Sequence, residues 1–249
     1  MAKVKEIIEF IKSIAPEYMQ EDWDNSGSQL YFDQDTPGVM LTLDVTDNVI
    51  DATIKENYKL ILSHHPMIFG GLKSIVEGQY LSDNIIKAIF NRISIYSAHT
   101  SLDSAKGGVN DALCEELKLK IMRPLGQGQS GYTMGYICQY EKALSFEEFK
   151  NSLKKYKVKI YGRPREIKKV AICGGSGMDF FEEAKTCDAF ITGDVKYHDG
   201  QKAYENNLTL VDMGHYTSEK FVLEKLKKLL LNEFKNLKVD IAESDFQIK

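Results

Sequence analysis

The chain has only five histidines, His64, His65, His99, His198 and His215, and four of them follow short apolar runs. His64 and His65 come directly after KLILS, and His99 comes after ISIYS with Asp103 four residues on. His215 comes after LTLVDM, with Glu219 four residues on. Imidazole nitrogen and carboxylate oxygen suit divalent cations such as zinc, iron, manganese or nickel. Adjacent histidines on an extended segment point in opposite directions, so the pair could serve two ions, or one could bind while the other supports. A carboxylate can bridge two cations with its two oxygens. Two ions roughly 3.5–4 Å apart, sharing a carboxylate and a hydroxide, form a hydrolytic centre. A His–His pair alone is ordinary, and a histidine four residues before an acid is often a local hydrogen bond. Their joint occurrence at three strand ends points to a metal site. His198, in KYHDGQKAYE, reads as solvent-facing or capping and is set aside.

The elements that must position these residues alternate between strand and helix. VKEIIEFIKSI is an amphipathic helix stopped by Pro16. GVMLTLD (38–44), KLILS (59–63) and ISIYS (93–97) read as strands, separated by helices capped by Thr46 and spanning 81–91. The stretch 121–165 contains an alternating strand, GYTMGYICQY, a capping box at Ser145 and Glu148, and the strand YKVKIYG. The first pattern then returns: strand KKVAICGG, helix 177–185, strand DAFITG, helix 196–206, strand LTLVDMG, helix 217–233. Thr217 or Ser218 could cap that last helix, placing Glu219 in its first turn and able to swing back toward His215. This predicts an α/β chain of two lobes with mostly parallel sheets, about 1–120 and 121–249, the chain ends free to pack on the opposite lobe. The metal site is expected at the carboxyl ends of the strands, between the lobes.

Composition narrows the class. The 249 residues are 43% hydrophobic and 10% aromatic, which excludes a disordered chain. No apolar run approaches the ~20 residues that span a bilayer, and MAKVKEIIEF carries Glu6 and Glu9 where a signal peptide would be apolar. The expected compartment is the cytoplasm. Cys114, Cys138, Cys173 and Cys187 form no CxxC pair and read as reduced core thiols.

Net charge is −4, yet residues 150–169 hold nine basic residues against Glu166 alone. Lys154, Lys155, Lys157, Lys159, Arg163 and Arg165, interleaved with Tyr156 and Tyr161, make a candidate surface for nucleic acid or another anion. The same lysines could be one solvated face of a strand. GGSG (174–177), between a strand and a helix, is either a tight turn or an anion contact. Asp44 and Asp194, at other strand ends, could support a ligand histidine or cap a helix.

Seven stretches carry a resemblance: DWDNSG (22–27), LILSHHPMIFGGLKSI (60–75), AHTSLD (98–103), GGVNDALCEEL (107–117), ICGGSG (172–177), AFITGDVKYHDGQKA (189–203) and VDMGHYTSEK (211–220). In this order they resemble the NIF-three-like dinuclear-metal-centre family, often labelled GTP cyclohydrolase I type 2 homologues. The resemblance implies two divalent ions per subunit held by His64, His65, Asp103, His215 and Glu219, with Glu219 bridging and His99 lining the site. It implies a ring-shaped homohexamer with its metal sites facing an inner cavity. The domain that longer members insert in the middle is expected to be absent. After DN the chain departs from the family pattern, with SGSQLYF in place of the usual glycine–leucine. The expected activity is hydrolysis of a nucleotide or other phosphorylated small molecule. Glu219 would hold the ions, and His99 or Asp194 would relay a proton. The alternative is a DNA-binding ring, single- or double-stranded, that uses the basic stretch, with structural or regulatory metals. A membrane partner is not expected.

Overall fold

Short apolar runs become parallel strands because the intervening amphipathic segments are long enough to cross over a sheet as helices. A computed structural model describes residues 1–243. Two compact units divide the chain: residues 1–105 with the described residues from 223 onward, and residues 106–222.

The first unit opens with β1 (Ala2–Lys3) and α1 (Val4–Ile14), which buries Val4, Ile7, Ile8 and Ile11 along one stripe. Each such side chain contributes about 1.5–3 kcal/mol. Next come β2 (Gly27–Leu30), β3 (Asp35–Thr36), β4 (Gly38–Thr42) and α2 (Asp47–Lys55). They are followed by β5 (Leu60–Ser63), α3 (Tyr80–Phe90), β6 (Ser94–Ser97) and α4 (Thr100–Ser104). Strands β4, β5 and β6 are parallel neighbours, and β2 lies antiparallel on the outer side of β6. All residues of β4, β5 and β6 are buried, as expected for strands covered on both faces. Thr46 sits at the N-cap of α2, but its hydroxyl bonds Asn48 rather than the helix backbone.

The second unit contains α5 (Val109–Glu116), β7 (Lys120–Pro124), β8 (Tyr136–Leu144), α6 (Phe146–Leu153), β9 (Lys159–Tyr161) and β10 (Ile167–Ser176). It continues with α7 (Phe181–Ala184), β11 (Ala189–Gly193), α8 (Tyr197–Glu205), β12 (Thr209–Asp212) and α9 (His215–Glu219). Its sheet runs β7-β8-β10-β11-β12-β9. The parallel heart is β10-β11-β12, with antiparallel strands on both flanks. Ser145 and Glu148 form the expected capping box on α6: Glu148 Oε2 accepts from Ser145 N at 2.7 Å, and Ser145 Oγ accepts from Glu148 N at 3.4 Å.

The last helix expected from sequence is two helices, α9 and then α10 (Phe221–Glu233), with Lys220 between them. Helix α9 begins at His215, with Gly214 at its N-cap in the left-handed region (φ 76°). Thr217 and Ser218 therefore lie inside α9 rather than capping it. The last described strand, β13 (Lys238–Ile241), adds to the open edge of β4 in parallel and makes the first sheet five-stranded. Among the described residues, no helix is long and apolar enough to cross a membrane.

Candidate metal centre

Beyond β5 the backbone keeps to the edge of β4 for two more residues: His64 N donates to Thr42 O (3.1 Å) and His65 N to Leu43 O (2.8 Å). The strand then bends, and the two rings do not diverge as an extended segment would require. Their centroids lie 4.9 Å apart, and the His99 ring stands 5.2 Å from His64 and 5.4 Å from His65. One nitrogen from each of His64, His65 and His99 lies within 4.8 Å of the other two. Asp103, one turn into α4, brings Oδ1 to 3.7 Å from His64 Nε2.

Each imidazole is fixed through the same nitrogen. His64 Nδ1 lies 2.9 Å from the Ala98 carbonyl, which can only accept, so Nδ1 carries the hydrogen. His65 Nδ1 meets Asp44 Oδ1 at 2.8 Å, and His99 Nδ1 meets Asp24 Oδ1 at 2.7 Å. With Nδ1 donating, each ring presents Nε2 as a lone pair. A carboxylate or carbonyl that fixes the tautomer in this way also raises the basicity of the other nitrogen, the usual support for a metal-binding histidine.

Asp24 is held firmly. Its Oδ2 accepts from Ser26 Oγ (2.8 Å), Thr100 N (3.1 Å) and Thr100 Oγ1 (2.5 Å). Burial works to raise its pKa, but the hydrogen bond and charge of His99, with Thr100 and Ser26, overcome it and hold the carboxyl far below the ordinary value. The stability it contributes is present above that ordinary value and is lost as pH falls below it. Asp24→Asn, which removes that charge and frees the His99 tautomer, is expected to lower stability at neutral pH by about 1–3 kcal/mol, measured by calorimetric melting. The half-exposed rings of Trp23 and Phe69 stand edge-on to His99, at 5.9 and 6.0 Å between centroids.

In the second unit, the turn at Gly214 delivers His215 and Glu219 on the single turn of α9. His215 Nε2 lies 3.1 Å from Glu219 Oε1, and its Nδ1 meets Asp194 Oδ2 at 2.7 Å. Asp194 takes φ 54° to reach it. Of the two roles open to Asp194 in the sequence, the geometry selects support of a histidine, as it does for Asp44. Glu219 is almost wholly buried against Gly174 and Gly175 at the end of β10. A Cβ on Gly175 would stand 2.3 Å from Glu219 Oε1. The GGSG segment is therefore a close-packing device: its Gly174, Gly175 and Gly177 N–H groups already donate to Asn110 Oδ1, Ser218 Oγ and Thr192 Oγ1. They are not available to an anion.

The basic stretch lies apart in the second unit's sequence, around β9 and the turn into β10. Lys155 Nζ contacts Glu116 Oε1 at 2.7 Å, and Arg165 reaches Asp188 Oδ1 at 2.9 Å. Arg163 stacks over Tyr204 (4.3 Å), while Lys154, Lys157 and Lys159 are exposed. His198 is exposed on α8, its Nδ1 3.4 Å from Gln201 Oε1. All four cysteines are buried, and none forms a disulfide among the described residues.

A family model described as Duf34/NIF3 (NGG1p interacting factor 3) matches residues 2–248. A "GTP cyclohydrolase 1 type 2 homolog" of Clostridium acetobutylicum is 35% identical over 87% of this chain and 85% of its own length. One of Campylobacter jejuni is 33% identical over 98% and 99%. Among solved structures, reduced HcgD from Methanocaldococcus jannaschii superposes with a TM-score of 0.84 at 30% identity, over 98% of both chains. A Staphylococcus aureus hypothetical protein superposes with a TM-score of 0.86 at 28% identity, over 99% of both chains.

Proposed function

The chain belongs to the Duf34/NIF3 family, and we propose that it is a metal-dependent hydrolase of a nucleotide or other phosphorylated small molecule, built on a two-ion centre. The observation that carries this reading is the shared anchoring of His64, His65, His99 and His215: every ring is bonded at Nδ1, and the Nε2 atoms of His64 and His215 face the carboxylates of Asp103 and Glu219. Four imidazoles with the carboxylates of Asp103 and Glu219 form a donor set that fits zinc, iron, manganese or nickel. His64, His65, Asp103, His215 and Glu219 would hold two ions, with Glu219 spanning them. When bound, such ions supply Lewis acidity and lower the pKa of water. This requires the trio of the first unit and the His215–Glu219 pair of the second to act as one site. Asp44, Asp24 and Asp194 hold the imidazoles correctly turned through Nδ1. His99 holds its proton at Nδ1 against Asp24, so its Nε2 is the atom that takes a proton from water or substrate and returns it. The names of the relatives support a purine nucleotide as the substrate to try first. A homohexameric ring in the cytoplasm completes the proposal.

The test is turnover of a panel of nucleotides and phosphoesters by protein reconstituted with each metal. Hydrolysis of one member, abolished by His99→Gln with metal retained, supports the reading. Full metal occupancy with no turnover across the panel contradicts it.

The exposure of Lys154, Lys157 and Lys159 favours a second reading, DNA binding by this face with the metals structural or regulatory. Among the described residues these three make no ion pair. Changing them to Glu, with Arg163→Glu, is then expected to abolish salt-dependent binding of a labelled oligonucleotide in fluorescence anisotropy. Unchanged anisotropy curves would exclude this face as the contact.

A further inference from the structure

One cleft of the first unit is not explained by the metal centre. It has a volume of about 720 Å³ and opens on the side of His65 that faces Asp44. That is the size of a small-molecule site. It is formed where the N-termini of α2 and α3 come together, and its floor includes Asn84, from the second turn of α3.

Asn84 is only 8% exposed. Among the described residues its side-chain amide has no hydrogen-bond partner, although it lines the cleft. Its amide opens on the cleft, where a ligand can take the place of the water that otherwise bonds it.

The charge of the lining is one-sided. Asp44, Asp47 and Asp83 contribute carboxylates, and no Lys or Arg lines the cleft. Part of that charge is accounted for. Lys87 on α3 contacts Asp47 at 2.6 Å and Asp51 at 2.5 Å, Asp44 accepts from His65, and Asp83 accepts from Gly78 N at 2.9 Å. Two helix N-termini would ordinarily attract an anion, but here their first turns already carry Asp47 and Asp83. The remaining walls, Val45, Pro66, Met67 and Leu81, are apolar and suit a flat ring, and Tyr80 adds an aromatic face for a cation.

We propose that this cleft is a binding site for a flat apolar group carrying a positively charged nitrogen head, of the amidinium or guanidinium class, with the head bonded to the Asn84 carbonyl. The cleft borders the proposed metal centre through His65 and Asp44, but recognition by Asn84, Asp83 and the apolar walls needs no bound metal and does not rest on the hydrolase reading. A phosphate is excluded by the same carboxylates that attract the cation.

The probe is benzamidine, with benzoate as its anionic counterpart of the same shape. Each is titrated into isotope-labelled full-length protein, once after chelator treatment and once with zinc added, and followed by NMR. Benzamidine is expected to saturate and to shift the Asn84 side-chain amide and the Met67 methyl in both preparations, with affinity at least tenfold above that of benzoate. Asn84→Ala is expected to weaken benzamidine about tenfold. Asp83→Asn, which keeps the oxygen that Gly78 N needs, is expected to narrow the preference over benzoate while leaving the spectrum folded. Equal binding of the two probes, shifts mapping elsewhere, or unchanged affinity in the folded Asn84→Ala protein would each overturn the proposal. Loss of turnover or of metal, with benzamidine binding intact, would count against the hydrolase reading alone.

Discussion

Glu219→Ala is expected to purify without a full complement of metal, at a loss of at least 100-fold in affinity for one ion. The reason is charge and position together. Glu219 is 3% exposed, and its Oε1 lies 3.1 Å from His215 Nε2. Two divalent ions bring four positive charges into a buried region, and a carboxylate spanning both is the group that most reduces their repulsion. Glu219→Gln keeps the shape and one oxygen but removes the charge, so it should retain more metal than the alanine variant and less than the parent. Elemental analysis of the three proteins after identical dialysis checks this. Retention of two equivalents by Glu219→Ala would refute Glu219 as a ligand.

Gly175→Ala is expected to reproduce much of that metal loss without touching a ligand. Gly175 has φ 64°, where an L side chain costs about 1–2 kcal/mol. Its new Cβ would meet Glu219 Oε1 at 2.3 Å. The end of a glutamate side chain can turn away, so the fold survives, with a loss on the order of 1–2 kcal/mol. The carboxylate, however, leaves its place beside His215. Gly193→Ala behaves differently, because its Cβ would meet backbone, His215 N at 2.7 Å and Gly175 O at 2.9 Å, which cannot turn away. Calorimetric melting should therefore separate the two: Gly193→Ala loses mainly stability, and Gly175→Ala mainly metal. A Gly175→Ala protein with full metal content would show that Glu219 does not need this close packing.

Much of this arrangement can be read in the sequence, because its decisive residues stand at strand ends. Buried parallel strands announce themselves as short apolar runs, and LILS and SIYS did so at β5 and β6. His64, His65, His99 and His215 could be placed by their position after such runs. What the sequence concealed are pairings over distance. Asp24 meets His99 across 75 residues, and no local period connects an aspartate in a loop with a histidine after β6. Asp44 and Asp194 were visible but undecided between capping and support, since both roles put a carboxylate at a strand end. How the His64 and His65 rings sit relative to each other was left open, because strand alternation ends where the chain bends after β5. GGSG left a turn and an anion contact open because its close approach to Glu219 is a tertiary fact. The break at Lys220 was hidden because no glycine or proline marks it in HYTSEKFVLEK.

The most direct measurement is a crystal structure of zinc-loaded protein with anomalous data collected at the zinc edge. The account predicts two peaks per chain, with His64, His65 and His215 each bound through Nε2 at about 2.0–2.1 Å and Glu219 contacting both ions. Ions bound through Nδ1, with Ala98, Asp44 and Asp194 displaced, or no peak at these histidines, would contradict it.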